Sequence, residues 1–215
     1  MSGRIAAAVG DCRERVAAAA LRAGRDPAGV TLVGATKTVP AARIAAALEA
    51  GIRDIGENRA QELVAKADQL APYDPQWHFV GPLQRNKVRA LTPWVTCWQT
   101  VDRAALGVEI AKRSPRARVL VEVNVAGEAQ KAGIEPANAR ELVDALGELG
   151  LEVAGLMTVP PHHDDPRRWF AALRELADRL GLTELSMGMT DDFEIAVEEG
   201  ATIVRVGRAI FGERR

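Results

Sequence analysis

The chain has 215 residues, of which 47% are hydrophobic, 27% charged and 4% aromatic, and its formal net charge is −1. About 200 residues are enough for one α/β barrel, and the near-neutral charge argues against the basic surface that nucleic-acid or membrane-surface binding needs. There is no apolar run of about 18 to 20 residues, and charged residues stand near the N-terminus, so the sequence predicts a cytoplasmic protein without a membrane anchor.

Short β-branched runs alternate with longer amphipathic stretches along the chain. The first element is an alanine-rich helix over residues 2–24, with apolar residues at helical spacing and Gly24 at its end. The alternation that follows is typical of repeated β-α units. Strands are predicted at 30–36, 54–56, 78–81, 98–101, 119–125, 153–158, 184–187 and 203–206. Helices are predicted at 41–50, 59–70, 84–91, 103–113, 136–149, 166–180 and 193–199.

Eight β-α units of roughly 25 residues each favour a closed barrel. The predicted fold is α/β, a single (β/α)8 TIM barrel with an additional N-terminal helix. An open doubly wound sheet is the alternative, but Gly34-Ala35-Thr36-Lys37 lacks the glycine spacing of a dinucleotide-binding turn. No low-complexity linker divides the sequence, so residues 1–215 are expected to form one domain.

Lys37 is the first candidate for chemistry. It lies at the C-terminal end of the first predicted strand, and active sites of such barrels are built at that face. A lysine at the end of a buried strand is partly removed from water, which favours the neutral amine that attacks a carbonyl carbon. The alternative is that Lys37 opens a solvated loop.

Further polar residues follow or interrupt the other predicted strands. Asn58 either hydrogen-bonds a ligand or caps the next helix. His78 lies within an apolar strand, where a core histidine with satisfied hydrogen bonds is the usual finding and a ligand contact is the alternative. Glu122 and Asn124 share one face of the fifth strand, and inside a barrel both would need partners or a ligand.

The C-terminal quarter has the composition of a phosphate site. Ser186-Met187-Gly188-Met189-Thr190 ends the seventh strand, and residues 205–212 end the eighth. In these barrels the loops after strands seven and eight commonly bind phosphate, since small residues expose backbone N–H groups and hydroxyls add donors. Two ordinary glycine-containing turns are the alternative. An amine and a phosphate site together suit a phosphorylated aldehyde, either pyridoxal 5′-phosphate (PLP) or a phosphosugar in a Schiff-base aldolase.

Two groups of residues have the composition of metal sites but not the spacing. Cys12 and Cys97 are far apart in the sequence, and Cys97 is expected to be a small core residue. His162 and His163 are adjacent, so they do not share a face, and the two prolines before them indicate a solvated loop. No metal ligand is predicted.

Several motifs occur in a consistent order from the first strand to the C-terminus. They are residues 34–37, 56–58, 77–87, 155–158, 185–192 and 204–212. Together they resemble the PLP homeostasis proteins, which have a single barrel similar to the N-terminal domain of bacterial alanine racemase. The resemblance implies PLP as the cofactor, a role in its intracellular homeostasis without robust catalysis, a monomer, and transient contact with PLP-dependent apoenzymes.

The resemblance also implies a set of cofactor-binding residues. Lys37 would hold PLP as a Schiff base, and Arg205 would lie near the pyridine nitrogen, where a cation disfavours protonation of the ring. Asn58 would line the ring pocket. The phosphate would be bound by Ser186 and Thr190 together with the backbone near Gly207 and Arg208. The complete predicted set is Lys37, Asn58, His78, Ser186, Thr190, Arg205, Gly207 and Arg208, with no catalytic residue. Arg208 stands where a small hydroxyl residue is expected in many relatives.

An amino-acid racemase or a Schiff-base aldolase is the alternative function. Two-base racemisation needs an acid or base opposite the lysine, and alanine racemases supply a tyrosine from a further domain. The sequence has one tyrosine, Tyr73, in a turn before the third strand, on the expected N-terminal face of the barrel. Eight β-α units leave no residues for a second domain, so a binding role is favoured. The aldolase alternative does not account for Arg205.

Overall fold

Eight strands pair in parallel in chain order and close on themselves, with β1 next to both β2 and β8. The computed structural model describes residues 2–128, 130–161 and 164–213. The strands are β1 Thr31–Ala35, β2 Asp54–Glu57, β3 Gln76–Phe79, β4 Val95–Val101, β5 Arg118–Glu122, β6 Glu152–Met157, β7 Glu184–Ser186 and β8 Ile203–Val206. The predicted (β/α)8 barrel is confirmed.

The helices surround this barrel. They are α1 Ser2–Arg22, α2 Ala41–Glu49, α3 Ala60–Leu70, α4 Arg85–Leu91, α5 Ala104–Arg113, α6 Ala139–Glu148, α7 Pro166–Leu180, α8 Phe193–Glu198 and α9 Arg208–Phe211. The predicted N-terminal helix is confirmed, and α1 packs against α2, α8 and α9. In the part of the chain that the structure describes, no helix is long and apolar enough to cross a membrane.

Several elements differ from the sequence-based prediction at their ends; strand β5, for example, ends at Glu122 and not at residue 125. Strand β4 begins at Val95 and not at residue 98, because Val95 and Cys97 already pair with β3. Helix α9 was not predicted, since four residues are too few to show a helical period. It buries Ile210 and Phe211 and thereby places the turn at Gly207 against the barrel.

The barrel interior has an apolar part formed by strand residues alone. Val33, Cys97, Leu120, Met157 and Ile203 form this cluster. Cys97 is the core residue that the sequence predicts, and burial raises the pKa of its thiol to about 12. The thiol is therefore protonated and inert at neutral pH. The barrel strands also carry buried polar side chains, among them His78, Gln99, Ser186 and Arg205.

Candidate functional site

The closed barrel brings the C-terminal ends of its strands to one face. Lys37 follows β1, Asn58 follows β2, Thr190 follows β7, and Gly207 and Arg208 follow β8. Since β7, β8, β1 and β2 are consecutive neighbours in the barrel, these residues share one part of its rim. The structure thus brings the predicted amine and the predicted phosphate loops together on four adjacent strands.

The backbone on both sides of Lys37 is held by hydrogen bonds. The buried Thr36 hydroxyl lies 2.7 Å from Oε1 of Glu57 and 3.1 Å from the carbonyl oxygen of Gly56. The Thr38 N–H donates to Oε2 of Glu62 at 2.7 Å, and Thr38 has a positive φ of 63°. Lys37 itself is half-buried. It therefore extends from a short, tightly held turn and not from a loose loop.

Asn58 does not cap the following helix. The N-cap of α3 is Arg59, and no side chain caps this helix end. The Oδ1 atom of Asn58 is buried and has no hydrogen-bond partner among the described residues. A Cβ atom on Gly81 would lie 2.2 Å from the carbonyl oxygen of Asn58, so only glycine lets the turn after β3 pack this closely. The arrangement leaves a positioned, unused acceptor at the rim.

A chain of buried hydrogen bonds crosses the barrel interior. His78 Nε2 lies 2.9 Å from Asp54 Oδ1, and His78 Nδ1 lies 2.6 Å from Gln99 Nε2. The Ser186 hydroxyl donates to Gln99 Oε1 at 2.6 Å and accepts from Nη1 of Arg205 at 2.5 Å. We call these five residues the interior chain. Arginine only donates and aspartate only accepts. With the Gln99 amide nitrogen facing His78 and its oxygen facing Ser186, the hydrogen bonds run in one direction from Arg205 to Asp54, and the proton of a neutral His78 lies on Nε2.

The interior chain gives His78 and Ser186 partners within the protein. Their direct contact with a cofactor remains a prediction. In this structure Ser186 contacts Arg205 directly, and His78 is linked to it through Gln99 and Ser186. Arg205 also donates through Nη2 to the carbonyl oxygen of Thr158 at 2.8 Å. Sequence reasoning missed Asp54 and Gln99, although a polar residue within a buried strand was the available signal.

Arg205 keeps its charge although it is buried. Burial lowers its pKa to about 10, while the Glu122 and Asp192 carboxylates act in the opposite direction. The guanidinium is therefore still a cation at neutral pH. Burial and the nearby Asp102 raise the pKa of Glu122 to about 7, and Arg205 partly offsets this. The Asn124 side chain has partners within the protein: it forms two hydrogen bonds with the backbone of Glu128 in the loop after β5.

Replacing Glu122 with glutamine is expected to stabilise the protein above pH 7. The folded-state pKa of about 7 lies above the ordinary value of 4.5. The carboxyl therefore does not destabilise the fold below about pH 4.5. Its destabilising effect grows as the pH rises from 4.5 to 7 and reaches about 3 kcal/mol above pH 7. Urea unfolding of both proteins at pH 5 and pH 8.5 measures this. A stability difference that is equal at the two pH values would contradict the prediction.

The loops after β7 and β8 approach each other. The Ala209 N–H lies 3.4 Å from Thr190 Oγ1, which joins the two loops at the predicted phosphate position. Gly188 has a φ of +90°, and a Cβ there would lie 2.5 Å from Ala196 Cβ, so the loop requires glycine. The Arg208 side chain is exposed and pairs with Asp191 and Glu213. Its guanidinium thus points to acidic neighbours, while its backbone remains at the rim beside Gly207.

The sequence predicts no metal site. His162 and His163 lie outside the described residues. Across residues 2–128, 130–161 and 164–213, no group of three or more His, Cys, Asp or Glu side chains is placed to hold a metal ion.

The comparisons with known proteins agree with the predicted resemblance. The family described as "Alanine racemase, N-terminal domain" matches residues 13–215. A pyridoxal phosphate homeostasis protein of Aquifex aeolicus is 46% identical over 216 residues, covering 94% of this chain and 95% of that protein. The structure of PipY from Synechococcus elongatus with PLP bound has a TM-score of 0.79 at 34% identity, covering 93% of this chain and 99% of PipY.

A more distant structure shares the fold alone. Alanine racemase of Corynebacterium glutamicum has a TM-score of 0.71 at 18% identity, and the match covers 99% of this chain but 62% of the racemase. The Aquifex protein and PipY, in contrast, match over nearly their whole length. The chain therefore belongs to the family of pyridoxal phosphate homeostasis proteins, which is built on the alanine racemase N-terminal domain.

Proposed function

We propose that this protein binds PLP at the rim formed by β7, β8, β1 and β2 and takes part in the homeostasis of this cofactor, without robust catalysis. One observation carries the proposal. These neighbouring strands end at the half-buried Lys37, at the Asn58 Oδ1 atom, which has no partner within the described part of the chain, and at the loop junction of Thr190, and one of them, β8, carries the buried Arg205 cation. PipY, a relative with the same fold, was solved with PLP bound.

The residues present fit the chemical groups of PLP. Its aldehyde suits the Lys37 amine, and its phenolic hydroxyl suits the free Asn58 acceptor. Its phosphate suits the Thr190 hydroxyl and the backbone at Gly207 and Arg208. We assign Arg205 to the ring nitrogen. Ser186 and His78 then contribute to the site by holding Arg205 in place through the interior chain.

When bound, PLP supplies an aldehyde that condenses with a primary amine with loss of one water, and a conjugated ring that can accept electrons. Arg205 is expected to weaken the electron-accepting ability of the ring. A guanidinium that remains charged at neutral pH keeps a proton off the ring nitrogen beside it, and an unprotonated ring is a weaker electron acceptor. This site therefore suits holding the cofactor better than carbanion chemistry on it.

Tyr73 does not lie where a racemase would need its second acid or base. Tyr73 lies in the short 3-10 helix Ala71–Tyr73 before β3, and its hydroxyl is 3.1 Å from Glu49 Oε1. Residues before a strand lie at the N-terminal end of the barrel, opposite the rim that carries Lys37. We therefore expect no racemisation of L-alanine above the rate with free PLP. Turnover at enzyme-like rates, measured by chiral chromatography, would overturn the non-catalytic assignment.

Cofactor delivery is the test of the homeostasis role. We expect the PLP-loaded protein to reactivate an apo-aminotransferase even when a PLP phosphatase destroys free cofactor, because transient contact would protect the PLP during transfer. Equal amounts of free PLP, with and without phosphatase, are the control. If the phosphatase abolishes reactivation by the loaded protein as well, the protein releases PLP into solution and direct transfer is wrong. A monomeric state and a cytoplasmic location remain predictions from the sequence.

A further inference from the structure

Three charged side chains lie behind the turn that carries Lys37. They are Glu57 at the end of β2 and Glu62 and Lys66 on α3, and we call them the Lys66 cluster. Lys66 Nζ donates to Glu57 Oε1 at 2.5 Å, to the Thr36 carbonyl oxygen at 2.9 Å and to Glu62 Oε2 at 3.1 Å. Because an ammonium has three N–H donors, the geometry uses the full capacity of Lys66.

Each member of the cluster reaches a residue next to Lys37. Glu57 and Lys66 hold Thr36, through its hydroxyl and its carbonyl oxygen respectively. Glu62 Oε2 accepts the N–H of Thr38 at 2.7 Å. Lys37 itself is not a member of the cluster. The cluster therefore clamps the backbone immediately before and immediately after Lys37.

Thr38 shows that the turn needs such a clamp. Its φ of 63° lies in the left-handed region, which a β-branched residue rarely adopts. A residue in this conformation is strained and persists only where the surroundings hold it. The bond from the Thr38 N–H to Glu62, and the bond from Glu62 to Lys66, provide that hold.

Stability alone does not account for a buried cluster of charged side chains. Glu57 is fully buried, and burial raises its pKa while Lys66 and Thr36 act to lower it. Replacing a buried ion pair with apolar residues is often neutral or stabilising in proteins. The same charges do, however, fix the direction of several backbone groups at once, which apolar side chains cannot do.

We propose that the Lys66 cluster is a positioning device that holds the strained Thr36-Lys37-Thr38 turn, so that the Lys37 amine points to the rim. This inference rests on the proposed binding of PLP by Lys37. Glu57, Glu62 and Lys66 are positioning residues and not catalytic ones, since their contacts are to Thr36, Thr38 and each other.

The test compares Glu62→Ala with Glu62→Gln. Glutamine retains an oxygen that can accept the Thr38 N–H, whereas alanine removes it. In the protein without cofactor, we expect faster amide exchange at Thr38 in Glu62→Ala and near-normal exchange in Glu62→Gln. With PLP added, the rate of covalent attachment to Lys37 is expected to fall by about tenfold or more in Glu62→Ala, because misplaced reacting atoms react slowly.

Two further variants separate positioning from general destabilisation. Lys66→Met is expected to raise exchange at Thr38 and slow attachment as Glu62→Ala does. Glu184→Gln weakens the Arg118–Glu184 ion pair, which joins the first residues of β5 and β7 at the opposite end of the barrel. It is expected to lower overall stability without changing either readout. If Glu184→Gln slows attachment as much as Glu62→Ala, the positioning proposal is overturned.

Different results would contradict the positioning role of the Lys66 cluster and the binding of PLP by Lys37. Amide exchange of the cofactor-free protein tests the clamp without PLP, and unchanged exchange at Thr38 in folded Glu62→Ala and Lys66→Met would refute it. If the unmodified protein attaches no PLP while exchange at Thr38 still rises in both variants, the clamp stands as a property of the turn and the proposed function of Lys37 is wrong.

Discussion

Replacing Lys37 with alanine is expected to abolish covalent attachment of PLP while leaving the barrel folded. Lys37 is half-buried in a turn held by Thr36 and Thr38, so truncation removes the amine without disturbing the hydrogen bonds of the turn. We expect borohydride reduction of the PLP-treated protein to fix near-stoichiometric cofactor mass on the unmodified chain and none on Lys37→Ala. Mass spectrometry of the tryptic peptides locates the adduct.

Two controls make this result specific. Lys87→Ala removes another half-buried lysine, one that lies on α4, and is expected to retain full attachment. Lys37→Arg keeps a cation at the turn but cannot form the linkage, so it separates loss of charge from loss of the nucleophile. An adduct of normal yield on Lys37→Ala would show that another amine binds PLP and would remove the basis of the proposed site.

The fold could be predicted from the sequence because its signals are local. Most strands are short apolar runs, several of them β-branched, and the longer helices have an apolar stripe, so eight repeated units can be recognised without knowledge of any contact. Lys37 and Thr190 could be found for the same reason, since each lies in the loop that follows a strand. Position after a strand in a closed barrel is enough to place a residue on the rim.

The partners across the barrel could not be predicted in this way. The interior chain depends on which residues of β3 and β4 face each other, and the register shifts within both the β3–β4 and the β4–β5 pairs. The hydroxyl at Ser186 illustrates the difficulty. It is the last residue of β7, and only the closed barrel shows that its side chain faces Gln99 and Arg205.

Lys66 was missed although the sequence contained a signal. It lies on the face of α3 that also buries Leu63, Ala67 and Leu70, where a lysine is uncommon unless an anion pairs with it. The anion is Glu57, nine residues earlier on a different element. Helical spacing identifies the buried lysine, but the topology that places β2 beside α3 is needed to identify its partner.

Replacing Arg205 with methionine is expected to have the largest effect on stability. The change leaves Ser186 and the carbonyl oxygen of Thr158 without their buried donor. Each unsatisfied buried group costs about 1–3 kcal/mol, so for these two groups we expect a total loss of roughly 2–6 kcal/mol in the free energy of unfolding. Urea denaturation at pH 7 measures it. Ser186→Ala, which removes one acceptor from Arg205, is expected to show about 1–3 kcal/mol.

The same substitution tests the assignment of Arg205 to the ring nitrogen. Without the cation, the ring of bound PLP is expected to take up a proton at a higher pH than in the unmodified protein, because the adjacent positive charge no longer opposes protonation. Ser186→Ala keeps the cation but removes one of its hydrogen-bond acceptors, and it is expected to shift this titration less than Arg205→Met does. The pH dependence of the cofactor absorption in the three loaded proteins measures the shift. If Arg205→Met and the unmodified protein titrate identically, Arg205 does not act on the ring, and the physical argument against carbanion chemistry at this site is lost.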